Sequence, residues 1–329
     1  MADIARIAGV DISTVSRALS GSERVTVETR ARIQEIVRDT GYVVNKAART
    51  LRDGRANQVL VIIPELSSKS YPEMVQGIIE ALDEQEINVL LGATQREAKR
   101  EAELGKRLLT GVVDGIITIT GSIPETILNM PDFQRKVVAL ARPVPQPGIC
   151  WVTMDNYAAS KEVMDHLYGM GHRSIVHIGG IMSSETFRAR SAAYVDFMRE
   201  NGLADLITVR PTDYFDADAG VEVMKSLLGS GQRPTAIFCA SDDLAIGAMA
   251  VARQAGLSIP DDLSFVGFDD LGVAALMHPP LSTVSVPRIE IGRSGAEALF
   301  GQIYQDIIAP AKIVLPHHLV LRDSVARIG

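Results

Sequence analysis

The chain has 329 residues, of which 47% are hydrophobic, and its formal net charge is −7. This length is typical of a small module joined to one or two domains of ordinary size. No run approaches the roughly 18 apolar residues of a bilayer span, and no charged-then-apolar secretion signal opens the chain, so we expect a cytoplasmic protein without a membrane partner. Cys150 and Cys239 follow no metal spacing and are predicted to be buried thiols.

The charge is unevenly distributed along the chain. Residues 1–57 hold ten Lys or Arg against seven Asp or Glu, a net charge of +3, whereas the remainder holds 23 against 33, a net charge of −10. The basic excess suits the neutralisation of phosphates, and the acidic remainder would be repelled by DNA. Contact with a nucleic acid is therefore expected through the N-terminal segment only.

Residues 3–19, DIARIAGVDISTVSRAL, predict two short helices about a tight turn. The first ends at Gly9, and Asp11 is placed to cap the second, which is the arrangement of a helix-turn-helix. Small and apolar side chains allow the helices to cross closely: Ala5, Ala8, Val10, Val15 and Leu19. The predicted DNA contacts project from the second helix toward solvent or DNA: Ile12, Ser13, Thr14, Ser16 and Arg17. Two helices about a glycine turn also occur in domains that bind no DNA, so geometry alone leaves both interpretations open.

A third helix and a short basic segment follow. Thr26 is predicted to cap the helix, Gly41 to end it and Tyr42 to pack back on it. Its apolar positions fall at helical spacing: Ile33, Ile36 and Val37. Residues 45–54, NKAARTLRDG, then predict barely two helical turns, which are marginal in water unless something packs on them. An ordinary linker with incidental helicity is the alternative.

From residue 58 onward, short β-rich runs alternate with helical stretches. The first set of strands is predicted at 59–63, 87–91, 112–120 and 136–140, with helices at 72–85 and 96–110. The second set has strands at 174–179, 206–209, 235–240 and 263–268, with helices at 157–170, 188–201, 218–229 and 243–255. A helix at 289–304 and a strand, KIVLPHHLVL, complete the chain. Such alternation predicts two lobes, each built on a parallel sheet with both faces covered.

Polar residues cluster just after the predicted strands, where ligands of open α/β sheets bind. The segments are ELSSKSY at 65–71, Arg142, GGIMSSETFRAR at 179–190, SDD at 241–243 and DD at 269–270. A carboxylate accepts from two hydroxyls, and a guanidinium offers paired donors in one plane, so a polyhydroxyl ligand is expected here.

The segment AGVDISTVSRAL resembles the AGVSxxTVSRVL signature of the lac repressor (LacI/GalR) family of bacterial transcription regulators, and the resemblance extends along almost the whole chain. It implies an α/β body with two lobes and parallel sheets like a periplasmic binding protein, behind a small all-α helix-turn-helix head. The implied boundaries are a head at 1–44, a hinge helix and linker at 45–57 and a body at 58–329. Within the body, one lobe spans about 58–156 and 288–318, and the other spans about 157–287 and the C-terminal tail. The family commonly has one to three further residues before the matched segment, so we expect either a late start codon or a poorly capped first helix.

The resemblance also assigns roles. The hinge pattern NxAARxLR implies that hinge helices of two subunits pair in the minor groove, where Leu51 enters a base step beside Asn45, Ala48 and Arg52. Effector positions of the family fall on Tyr71, Arg142, Arg188, Arg190, Phe215, Ser241, Asp242 and Asp269. Ala141 stands where many relatives have Asp, and Ser241 stands where lac repressor has Asn, so the ligand need not be any relative's sugar. Two arginines near the cleft make an acidic sugar or sugar phosphate an option.

Several simpler interpretations stay open. In one of them, Arg190 forms a salt bridge with Asp269 or Glu185 and contacts no ligand. In another, Asp242 is a carboxylate that only stabilises the N-terminus of a helix. Gly179 and Gly180 fit no phosphate-loop spacing. The histidines His172, His317 and His318 have no matching metal partners and are predicted to be structural or exposed.

We therefore predict a homodimeric repressor that binds a palindromic operator and a small polar effector, a sugar or sugar acid, with no cofactor and no metal. A transport solute-binding protein is a second hypothesis, against which the head and the missing signal peptide argue. A cytoplasmic enzyme is a third, but the sequence shows no nucleophile with its base and no cofactor loop.

Overall fold

The computed structural model describes residues 1–19, 22, 24–41, 54–66, 70–182 and 184–328. The chain divides into two compact units, Met1–Ala56 and Asn57–Gly329. Residues 45–53 of the predicted hinge helix lie outside the described residues, and so does Tyr42. The predicted DNA contacts of the hinge are therefore not described: Asn45, Ala48, Leu51 and Arg52. Within the described residues, no helix combines the length and apolarity needed to cross a membrane.

The first unit contains the predicted helix-turn-helix and a third helix: α1 (Ala2–Ala8), α2 (Ile12–Leu19) and α3 (Val27–Thr40). Gly9 adopts the left-handed conformation with φ 62°, which ends α1 and lets the chain turn into α2. The Thr26 hydroxyl accepts a hydrogen bond from the Thr29 amide at 3.3 Å and caps α3. The three helices share one small core, which consists of Ile4, Ala5, Ala8, Val15, Ala18, Val25 and Ile33.

The second unit contains a six-stranded sheet and a four-stranded sheet, both parallel as the alternating pattern predicts. The first sheet has the order β11-β5-β4-β3-β1-β2. Its strands are β1 (Gln58–Ile63), β2 (Asn88–Ala93), β3 (Gly115–Thr118), β4 (Val137–Leu140), β5 (Cys150–Met154) and β11 (Lys312–Leu315). Its helices are α4 (Tyr71–Asp83), α5 (Ala98–Leu109) and α10 (Arg288–Tyr304).

The second sheet has the order β7-β6-β8-β9. Its strands are β6 (Ile175–Gly180), β7 (Thr208–Pro211), β8 (Ala236–Cys239) and β9 (Ser264–Val266). Its helices are α6 (Asn156–Gly169), α7 (Glu185–Glu200), α8 (Ala217–Gly229) and α9 (Asp242–Gln254). Cys150 and Cys239 are buried free thiols, as expected, and burial raises the pKa of the Cys150 thiol to about 11.

Two strand predictions are corrected by the structure. No strand was predicted at β5, which follows a proline-rich stretch. The prediction of KIVLPHHLVL as one strand is wrong: β11 belongs to the first sheet, whereas β12 (His318–Val320) pairs antiparallel with β10 (Thr283–Ser285). Pro316 lies between β11 and β12 and has no amide hydrogen to continue the ladder.

Strands β10 and β12 form a separate small sheet, which a bridge between Val266 and Ser282 joins to the second lobe. The chain therefore passes between the two lobes three times: after β5, between β10 and α10, and between β11 and β12. These connections lie near the carboxyl ends of the strands. Polar residues that follow the strands of both sheets consequently face one another.

Candidate functional site

The second helix of the first unit has one buried and one exposed side. Val15 and Ala18 are at most 2% exposed and pack in the core. On the other side, Ile12 is 52% exposed, and Ser13 and Arg17 are also exposed. Of the other predicted DNA contacts, Thr14 and Ser16 are half-buried. Ile12 and Ser13 thus stand at the start of α2, the part of a recognition helix that reaches base edges, whereas Arg17 lies in its last turn.

The second unit contains a cavity between its two lobes. The space between the lobes amounts to about 680 Å³ when open solvent is included. Five of the eight predicted effector positions line it: Tyr71, Arg142, Arg190, Phe215 and Asp269. Met154 and Val286 also line it, and they lie on two of the connections between the lobes.

The Arg190 guanidinium is held on three sides. Its Nε and Nη2 both donate to Asn156 Oδ1, at 3.0 and 2.9 Å, and Nη1 donates to the Ala240 carbonyl. It lies 3.5 Å from the ring centroid of Phe268. Burial lowers the pKa of Arg190 to about 10, although nearby Asp269 opposes the shift. Arg190 is therefore a fixed cation in the wall of the cavity.

Asp269 faces Arg190 at a distance of 3.9 Å between Oδ1 and Nη1. Glu185, the other partner considered for Arg190, pairs instead with Arg188. Burial raises the pKa of Asp269, and the charge of Arg190 counteracts this shift. Asp269 also has φ 121°, a backbone conformation that is costly for a residue with a side chain. Such strain is found at binding sites, where the surrounding structure holds it in place.

Two phenylalanines form the apolar side of the cavity. The rings of Phe187 and Phe215 have centroids 5.9 Å apart and are tilted by 34°. Arg96, on the loop between β2 and α5, donates to Glu65 at 2.8 Å and lies 6.0 Å from the Phe215 ring. The hydrogen bond to Glu65 raises the pKa of Arg96.

Asn156 and Arg288 are among the polar residues of the cavity wall that were not predicted from the sequence. Asn156 is the first residue of α6 and follows the strand that was not predicted. Arg288 begins α10, donates to the Asp269 carbonyl and pairs with Glu73 at 2.9 Å. A turn signal at Asp155 and Pro287 was available, but only the fold shows that these helix starts face the cavity.

Three predicted effector positions do not lie on the cavity wall. Ser241 caps α9, where its hydroxyl accepts from the Leu244 amide at 3.2 Å and donates to the Phe215 carbonyl. Arg188 points toward Glu185 with its side chain 51% exposed.

Asp242 is the third predicted effector position that does not line the cavity, and this residue is fully buried. Its carboxylate accepts from the Leu271 amide at 2.8 Å and the Thr283 hydroxyl at 2.6 Å. None of these three side chains lines the cavity in this structure and each has a partner within the protein, so their roles in effector binding stay predictions.

The three histidines and Gly180, which the sequence also singled out, lie away from the cavity wall. His172 bonds to the Thr235 hydroxyl and the Ala326 carbonyl, each at 3.0 Å, and thereby fastens the C-terminal segment to the second lobe. His317 Nε2 lies 3.1 Å from Glu162, whereas His318 is exposed. A Cβ at Gly180 would collide with the Phe187 ring, so this glycine is required by packing.

A helix-turn-helix unit in the same chain as a two-lobed α/β unit with a polar cleft defines a class: DNA-binding regulators with a ligand-binding body. Residues 1–45 match the model of bacterial regulatory proteins of the lacI family, and residues 164–325 match the periplasmic binding protein-like domain. The chain is 30% identical to the HTH-type transcriptional repressor CytR of Escherichia coli (strain K12) over 330 residues, which cover 98% of this chain and 95% of CytR. The chain belongs to the lacI family of bacterial transcriptional regulators.

Solved structures agree with this fold. The complex of the transcriptional regulator CelR with cellobiose has a TM-score of 0.74 and 28% identity, with 98% of each chain covered. The lac repressor dimer bound to operator and the anti-inducer ONPF has a TM-score of 0.88 and the same coverage. At 24% identity, this second likeness supports the fold alone.

Proposed function

We propose that the chain is a homodimeric transcriptional repressor whose affinity for a palindromic operator is controlled by a small polar effector, a sugar or sugar derivative, in the cavity of the second unit. The central observation is the position of the cavity on the connections between the lobes. Met154, Val286 and Arg288 line it and also belong to or adjoin these connections. A ligand bound there would favour one lobe arrangement over the other, which is what population shift requires.

The cavity is suited to a polyhydroxyl ligand. Asp269 would accept from hydroxyl groups, Arg190 would donate in a fixed plane, and Phe215 would pack on the apolar face of a sugar ring. CelR, a relative of similar fold, has been solved with cellobiose. We infer that this chain recognises its effector through the carboxylate of Asp269, the arginines of the cavity wall and the ring of Phe215.

On the DNA side, Arg17 is the proposed base contact in the major groove and Ile12 and Ser13 are its neighbours. The hinge residues Leu51 and Arg52 stay a prediction for the minor groove. We propose that effector binding alters the spacing of the two chains that enter the hinge, and so the folding of the hinge helices. This assigns the protein to regulation in the cytoplasm and not to transport or catalysis.

Dimer formation fits the exposed edge of the first sheet. The edge strand β2 and the adjacent α4 carry Leu91 and Ile79, which are 46% and 42% exposed. A second copy of the chain that packed on this edge would cover both side chains. Sedimentation equilibrium of the full chain should give a dimer at micromolar concentration, and a monomer there would contradict the proposal.

The effector site is tested by a thermal-shift screen of sugars and sugar derivatives on the full chain. A ligand at 100 times its Kd adds about 2.7 kcal/mol to the free energy of unfolding. Arg190→Ala should remove this shift while binding to operator duplex persists. Arg199→Ala, which alters an exposed arginine near the end of α7, should keep it. A full ligand response in Arg190→Ala would reject the site.

A further inference from the structure

The turn that carries Arg142 into the cavity is strained. Its amide donates to the Leu140 carbonyl at 2.6 Å across Ala141, which has φ 59°. This is a γ-turn of the positive-φ type, which is rare and unfavourable for an L-residue. Gly121 packs closely against this turn, and a Cβ on the glycine would lie 3.3 Å from Arg142 Cβ. The fold thus maintains a costly backbone conformation at the point where Arg142 enters the wall.

The charges around the cavity do not balance. Three guanidinium groups line it, those of Arg142, Arg190 and Arg288, against the single carboxylate of Asp269. Asp269 faces Arg190, and Arg288 pairs with Glu73. Among the residues that the structure describes, Arg142 has no acidic partner within 4.0 Å. The positive charge of Arg142 instead repels that of Arg190 and helps to lower the pKa of Arg190.

We propose that the effector carries an oxyanion, a carboxylate or phosphate group, that binds Arg142. An anion at this position would neutralise the excess positive charge and receive paired N–H donors from the guanidinium, which is the preferred geometry for both groups. A neutral sugar would leave this charge uncompensated in a partly buried cavity. The inference rests on the proposed function and narrows it to sugar acids or sugar phosphates.

The test compares matched ligands on the full chain by isothermal titration calorimetry. The probes are D-glucose, D-galactose and D-ribose, each with its sugar acid and its terminal phosphate ester. The wild-type chain should bind at least one charged member tenfold or more tightly than its neutral parent. The acid and ester arms then distinguish a carboxylate from a phosphate.

Two variants assign that preference to Arg142. Arg142→Gln should reduce the ratio of charged to neutral affinity to about one while retaining neutral binding. Ala141→Asp, which places a carboxylate beside Arg142, should lower affinity for the charged ligand at least tenfold and spare the neutral parent; Asp tolerates a positive φ better than most residues. Arg199→Gln, at an exposed arginine near the end of α7, is the matched control and should keep the wild-type ratio.

The outcomes separate the two proposals. Neutral members that bind as tightly as their charged forms would overturn the anion proposal and leave the effector site intact, and so would a preserved ratio in Arg142→Gln. If no member of the panel bound at millimolar concentration, both this inference and the proposed sugar effector would be rejected.

Discussion

The buried carboxylate of Asp242 makes stability depend on pH in a direction opposite to that of a salt-bridged aspartate. Burial, assisted by the charge of Asp269, raises the pKa of Asp242 from 3.8 to about 7. Because the folded-state pKa is raised, the ionised form is disfavoured by folding. The resulting penalty is fully present above about pH 7 and is relieved as the pH falls from 7 toward 4. At 1.36 kcal/mol for each pKa unit, the full penalty is about 4 kcal/mol.

Asp242→Asn removes this penalty and preserves the local hydrogen bonds. The amide oxygen would accept from the Leu271 amide, and the amide nitrogen would face the Thr283 hydroxyl, which then accepts. From linkage, the variant's gain in free energy of unfolding over wild type should grow by roughly 2–3 kcal/mol between pH 5 and pH 8.

Urea unfolding followed by circular dichroism at both pH values measures this difference. Asp205→Asn, at an exposed aspartate of the same lobe, is the control and should unfold in parallel with wild type. A gain for Asp242→Asn that is equal at pH 5 and pH 8 would refute the reasoning. A gain that is larger at pH 5 than at pH 8 would mean that the pH dependence has the opposite sign to the one predicted.

Three further substitutions test the head, the hinge and the body. Arg17→Ala should cost roughly 1–3 kcal/mol in binding to the operator and little in binding to random duplex. Fluorescence anisotropy measures both affinities, with Arg6→Ala as control, and equal losses on the two duplexes would rule out Arg17 as a base contact. Leu51→Ala should weaken operator binding and reduce DNA bending in a gel-shift assay without altering effector affinity, and an unchanged bend would contradict its role as a wedge. Gly247→Ala should destabilise the body by about 1–3 kcal/mol, because the new Cβ would overlap the Ala217 carbonyl where α8 and α9 cross, whereas Gly229→Ala meets no atom and serves as control.

The fold was predictable where the controlling signals are local. Gly9 and Gly41 end helices through left-handed conformations, and the Thr26 hydroxyl caps α3, each within a few residues of the element concerned. Buried parallel strands such as β1 are continuous apolar runs, which the alternating pattern identified. In contrast, β5 follows a proline-rich stretch and contains polar Thr153, so its central position in the sheet depends on neighbours distant in sequence.

The site was predictable only in part for the same reason. Strand ends marked Arg142 and Asp269, but Arg288 and Asn156 start helices that reach the cavity only because the chain crosses between lobes three times. Asp242 was assigned to the effector because its sequence position beside a strand end matches that of a ligand contact, whereas its side chain lies off the cavity wall. Its burial and its bonds to Leu271 and Thr283 are long-range features that no local pattern encodes.

Reciprocal coupling between the cavity and the operator is the most direct test of the account. Once the ligand panel has supplied an effector, its Kd should be measured by calorimetry with the full chain alone and with the chain saturated by its operator duplex. The factor by which operator changes the effector Kd should equal the factor by which effector changes the operator Kd, and Arg190→Ala should abolish it. An effector Kd that is the same with and without operator would contradict the claim that this cavity controls DNA binding.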